Sequence, residues 1–159
     1  NIAIARIVHV SAAMSIDSLL LPIEDDRLSV MKFHFFSSLV QAYEAQYELY
    51  SIKKCSTRRL SNMLYEEKKE AAHQINQQLR HYQKLSHFMH QSMHIKHTFS
   101  PNFAQEVIEK SIHSPHQLIV IGAKRLSFFS PFLKRSSLEN IMSKTHLNAI
   151  AFYPQGFAQ

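Results

Sequence analysis

Glycine is nearly absent from this 159-residue chain, which holds only Gly122 and Gly156. Glycine-rich phosphate loops need several positions without a Cβ, where backbone amides can approach a ligand closely. A P-loop or a GxGxxG dinucleotide fingerprint is therefore excluded. A single cysteine, Cys55, precludes an internal disulfide, and no second thiol completes a zinc site or a redox dithiol. A reducing, cytoplasmic compartment fits this usage. No apolar run approaches the ~20 residues of a membrane-spanning helix, so no direct membrane span is expected. The opening NIAIARIVHVS lacks the charged flank and small-residue cleavage site of a secretory leader.

What is present is the composition of one folded domain: 45% hydrophobic and 19% charged residues, with no low-complexity tract. The length suits one full core and is short for two. The net charge of +6 favours acidic partners such as nucleotides, nucleic acid or an anionic membrane surface. A solvated basic surface accounts for the same charge. No motif for specific nucleic-acid recognition accompanies it, and the basic stretch KKCSTRR (53–59) lacks the interleaved aromatics of a single-strand binder.

From Ser18 onward, short apolar runs alternate with helical patterns, which predicts a parallel sheet covered by helices. SLLLPI (18–23) is continuously apolar, as a strand buried on both faces should be. Glu24, Asp25 and Asp26 interrupt it and are suited to cap a following helix, expected over 28–44. Residues 46–52 alternate as a second strand, and the basic KKCSTRRLSN (53–62) reads as a loop. A long helix is expected over 63–88, which contains no Gly or Pro. Residues 92–100 read as a third strand, with Pro101 in the first turn of a helix reaching Ile112. HQLIVIGA (116–123) is a fourth strand, 136–144 a helix and LNAIAFY (147–153) a fifth strand. This gives five strands and four helices in alternation. IAIARIVHV (2–10) reads as a sixth strand, either an edge strand or the last strand of a preceding segment. The expected division is an N-terminal arm (1–15), a main domain (16–154) and a short tail (155–159).

With these strands placed, the region from about Ser18 to Pro154 resembles a universal stress protein domain in the order and spacing of its parts. In that family the first strand ends hydrophobic-Pro-hydrophobic-Asp, and LLLPIEDD supplies Pro22, Ile23 and then Glu24 at the aspartate position. The family's nucleotide loop has the form GxxG, nine residues, then Gly-Ser or Gly-Thr. LIVIGAKRLSFFSPFLKRSSLENIM aligns with it without a gap. Gly122 takes the first glycine position, Arg125 the second, Arg135 the third, and Ser136 the hydroxyl position. The resemblance implies a three-layer α/β/α sandwich with a five-stranded, mostly parallel sheet, of the adenine-nucleotide alpha-hydrolase-like type. It also implies an adenine nucleotide such as ATP as the ligand class, and a homodimer. Two of the three glycine positions hold arginine, which cannot bring its backbone as close to phosphate. A non-catalytic regulatory domain with an altered nucleotide loop therefore follows more readily than an enzyme.

In such a sheet the ligand site lies at the carboxyl ends of the strands near the topological switch point, which gathers Glu24, Ser51, Gly122 and the basic loop. Lys124, Arg125, Lys134 and Arg135 bring cations to that loop, and arginine can grip phosphate through its side chain. Ser136 stands where a helix start could still offer free amides. Phe128, Phe129, Phe132 and Leu133 are apolar enough to form a partner surface or to pack internally. His87, His90, His94 and His97 invite a metal reading, but His94 and His97 fall on opposite faces of a strand, and surface histidines explain them better. Cys55 among Lys53, Lys54, Arg58 and Arg59 reads as an exposed, incidental thiol.

The leading expectation is a binding or regulatory module acting through dimerisation or through sensing a nucleotide-like anion. The alternatives are a cytoplasmic regulatory domain of a transporter (antiporter or amino-acid permease), a member of a tandem, and an ATP-binding or ATP-hydrolysing stress protein.

Overall fold

The computed structural model describes residues 2–8, 15–25, 27–122 and 137–153. The chain runs β1 (Ile2–Arg6), β2 (Ser18–Glu24), α1 (Val30–Tyr43), β3 (Gln46–Lys54), α2 (Thr57–Asn62), α3 (Tyr65–Phe88), β4 (Met93–Ser100), α4 (Phe103–Ile112), β5 (Leu118–Gly122), α5 (Ser137–Lys144) and β6 (Asn148–Tyr153). The six strands form one sheet in the order β1-β6-β5-β2-β3-β4. Strands β2 to β6 are mutually parallel, and β1 adds to β6 antiparallel, from Ile2 opposite Tyr153 to Arg6 opposite Ala149. The architecture is a three-layer α/β/α sandwich. The expected five parallel strands are present, and the N-terminal strand is the sheet's antiparallel sixth.

The pleat sends alternate residues of each buried strand to opposite layers. Leu19, Leu21, Ile23, Tyr47, Leu49, Leu118 and Val120 pack with Phe33, Phe36 and Val40 of α1 and Ile75 and Leu79 of α3. Leu20, Tyr50, Ile52, Ile119, Ile121 and Ala149 pack with Ala104 and Val107 of α4 and Ile141 of α5. Aromatic contacts knit the first layer. Phe36 meets Tyr47 edge-on at 5.0 Å between centroids, and Phe33 meets Tyr82 of α3 at 5.0 Å. Such pairs add about 0.5–1.5 kcal/mol beyond their buried area.

Several local expectations are corrected. Helix α1 is capped by Ser29, whose side chain accepts the Lys32 amide, and not by the acidic triplet. Asp25 instead turns the chain at a φ of 54°, where aspartate is one of the better-tolerated residues. The stretch read as a basic loop contains α2, capped by Ser56. Pro101 precedes the N-cap Asn102 and lies outside the first turn of α4. Cys55 is 6% exposed rather than on the surface. His97 is half-buried and its Nε2 meets Asn76 Oδ1 at 2.9 Å, so it is not a free surface histidine.

Candidate functional site

Strands β5 and β2 are neighbours in the sheet, and from them the chain order proceeds in opposite directions, toward β6 on one side and toward β3 on the other. This is the topological switch point, where ligands of open α/β sheets bind at the carboxyl edge. The ladder between β2 and β3 runs unbroken from Ser18 to Glu24, whereas the ladder between β2 and β5 covers only Leu19↔Leu118 and Leu20↔Ile119. Pro22 lies two residues beyond the point where the second ladder stops. Proline has no N–H to donate and is ordinarily kept out of central strands. Here the pairing to β3 continues through it, so the missing donor falls on the β5 side. The bridging between β2 and β5 thus stops short of their carboxyl ends, although the two strands remain neighbours in the sheet.

Three of the residues singled out by sequence lie on this edge. Glu24 ends β2 and pairs with Arg27 at 3.1 Å. Ser51 is fully buried, and its hydroxyl donates to the Asp25 carbonyl at 2.6 Å, so it braces the turn after β2 rather than facing a ligand. Gly122 ends β5. Lys124, Arg125, Arg135 and Ser136, together with Lys134 and the aromatic stretch 128–133, lie outside the described residues. Other cations share the edge: Lys53 pairs with Asp25 at 3.4 Å, and Arg58 and Arg59 line an open groove of about 400 Å³ with Ser56, Asn62, Met63 and Glu67.

A residue missed by the sequence reading is Lys32 of α1. A Cβ at Gly122 would collide with the Cδ and Cε of Lys32 and lie 3.0 Å from its Nζ. The lysine stem occupies the place where any other residue at 122 would carry its side chain.

A second missed cluster lies toward the amino end of the strands. Glu48, 5% exposed, receives Lys96 at 2.6 Å and Lys110 at 3.0 Å, with His116 Nε2 at 3.8 Å. Burial pushes the Glu48 carboxyl up, but the hydrogen bonds and charges of the two lysines outweigh it and hold the carboxyl below its usual range. His116 is lowered, chiefly by burial, with Glu48 opposing and both lysines adding to the depression. Its Nδ1 lies 2.5 Å from Ser18 Oγ. Beside it, Gln117 Oε1 accepts the Ser18 amide at 2.8 Å, and the Gln117 amide donates to the Ser18 carbonyl at 3.0 Å. Tyr50 donates to Glu106 at 2.6 Å, and burial followed by that carboxylate raises its phenol. These contacts link β2, β3, β4, the start of β5 and α4.

Among the described residues, no group of three or more His, Cys, Asp or Glu is placed to hold a metal ion, and no helix is long and apolar enough to cross a membrane.

No family model and no curated protein matches the chain by sequence. Solved structures do match its fold. A universal stress protein in complex with cAMP aligns over 88% of this chain and 98% of its own, with a TM-score of 0.57 at 10% identity. A universal stress protein from Archaeoglobus fulgidus aligns over 85% and 92%, with a TM-score of 0.56 at 10% identity. A hypothetical protein, the subject of a structure-based assignment of biochemical function, aligns over 91% of this chain and all of its own (100%), with a TM-score of 0.60 at 13% identity. The likeness extends across nearly the whole sandwich, and the chain has the universal stress protein fold.

Proposed function

We propose that this chain is a non-catalytic binding domain whose ligand is a nucleotide-like anion, held at the carboxyl ends of β2 and β5. The observation that carries the reading is the topological switch point between β5 and β2, whose carboxyl edge is where open α/β sheets take ligands. Sequence and fold converge there. Glu24 and Gly122, which resemble positions of the family's motifs, end the two neighbouring strands at this point. The edge also carries Lys32, Lys53, Arg58 and Arg59, which favours a negatively charged ligand. One solved structure of the same fold holds cAMP, so adenine nucleotides are the first ligands to try. The Arg125 and Arg135 substitutions in the loop shift the expected recognition from backbone amides to side-chain cations.

Calorimetric titration with ATP and magnesium, with ADP and cAMP in parallel, tests the reading. The expected outcome is binding that weakens as salt rises, without phosphate release. Failure of all three nucleotides to bind would remove the nucleotide reading, and steady turnover of ATP would overturn the non-catalytic one. An Arg125→Gly, Arg135→Gly double variant that binds while the natural chain does not would identify a site closed by those arginines.

A further inference from the structure

Gly122 poses a question that backbone conformation does not answer. Its φ is not positive, so any residue could adopt its backbone, and a conformational need for glycine is absent. What Gly122 provides is space, and Lys32 occupies it with Cδ, Cε and Nζ. The sequence places that lysine in the first turn of α1, where the Ser29 side chain accepts its backbone amide at 3.3 Å and fixes its position. Lys32 is half-buried. A lysine stem laid on the end of a strand is a way to set a point charge at the carboxyl edge of the sheet.

Arg27 is committed to Glu24 and Lys53 to Asp25. Lys32 stands at the carboxyl end of β5, packed on Gly122 at the switch point. It has an interaction partner within the protein, which an arriving anion would share or displace.

We infer that Lys32 is an anion-contacting residue of the carboxyl edge, its ammonium taking a phosphate group of the ligand, and that position 122 is glycine to admit the lysine stem. The inference rests on the binding proposed above and assigns its charge recognition to a residue outside the loop of 123–136. Because lysine acts as a compact point charge rather than a planar fork, it recognises phosphate without demanding one orientation.

The test is calorimetry with ATP, with pyrophosphate and with adenosine on the natural chain and on Lys32→Ala, Lys32→Met and Lys32→Arg, each checked for native circular dichroism. Lys32→Met keeps the stem and removes the charge. We expect ATP and pyrophosphate to bind at least tenfold more weakly to the Ala and Met variants, adenosine to bind unchanged, and Lys32→Arg to retain most of the affinity. Gly122→Ala, which displaces the stem, is expected to behave like Lys32→Ala toward pyrophosphate. ATP binding that is equal in the natural chain and in Lys32→Met would overturn the role of Lys32 and leave the proposed binding intact. Tighter binding to Lys32→Ala would also overturn it, making the lysine an occluding plug. No binding of ATP or pyrophosphate to the natural chain would overturn both readings.

Discussion

The two ends of the same sheet are built on opposite principles. Toward the amino end, Ser18, Gln117, His116, Glu48 and Lys110 form a cluster of buried or half-buried polar groups, joined from the surface by Lys96, that links β2, β3, β4, the start of β5 and α4. Toward the carboxyl end, the bridging of β2 to β5 stops at Leu20↔Ile119, and the exposed Arg27 and partly exposed Lys53 pair singly with the half-buried Glu24 and Asp25. A ligand site needs groups that are not already satisfied within the fold, and a clamp needs the reverse. With the proposed ligand at the carboxyl edge, stability and recognition fall to opposite ends of shared strands.

This contrast is breakable by substitution. The largest effect is expected at Glu48. Glu48→Ala leaves Lys110 and His116 facing each other without the carboxylate between them, and urea denaturation should show a loss of about 3 kcal/mol. Nucleotide affinity at the far end should be unchanged; a parallel loss of affinity in a variant that remains folded would show that the two ends are coupled. Next is the response to acid. His97 and His116 are both held below their ordinary value of 6.5, chiefly by burial. The unfolded chain therefore takes up protons before the native one, and stability is lost as pH falls from about 6.5 toward the lower native values. Thermal midpoints between pH 8 and pH 5 should fall, and a His97→Gln, His116→Gln pair should flatten that decline. Glu48, shifted below its ordinary 4.5, adds its own loss only at lower pH. A smaller change is expected for Ser51→Ala, which removes one hydrogen bond to the Asp25 carbonyl and should cost about 1 kcal/mol in denaturant melts. The smallest is Lys53→Ala, a partly exposed pair with Asp25, expected to alter stability by no more than about 1 kcal/mol. A larger effect there would mean that the carboxyl edge is as tightly fastened as the amino edge.

The strands were readable because fully buried strands must be continuously apolar, as in SLLLPI and LIVIG, and because α3 is long and free of Gly and Pro. The switch point between β5 and β2 was readable from the alternation of strands and helices together with the family resemblance. Glu48 was hidden because its partners Lys96, Lys110 and His116 are brought together only by strand register and by the seating of α4, which no local pattern encodes. Within QYELYSI it resembles an ordinary solvent-facing position of an alternating strand. Helix α2 was hidden because TRRLSN has a single apolar residue and hence no periodicity, leaving only the Ser56 cap as a signal. Lys32 is one lysine among many in the sequence; the scarcity of glycine was its only clue, since a chain with two glycines that places one at a strand end invites the question of what fills the space.

The N-terminal strand has a consequence for assembly. β1 covers the outer edge of β6 over five residue pairs and is held there by Arg6, which donates to the Thr145 carbonyl at 3.0 Å, and by the Val8 amide, which donates to Asn148 Oδ1 at 2.7 Å. A second copy adding to β6 must first displace this strand, so the docking free energy of β1 is subtracted from any such association. Every ~1.4 kcal/mol of docking lowers the association constant tenfold for each strand released. In a two-fold pair both copies must release theirs, so the penalty in free energy doubles and that in affinity is squared. Whatever holds or frees these few residues therefore sets the concentration at which β6 becomes available to another chain.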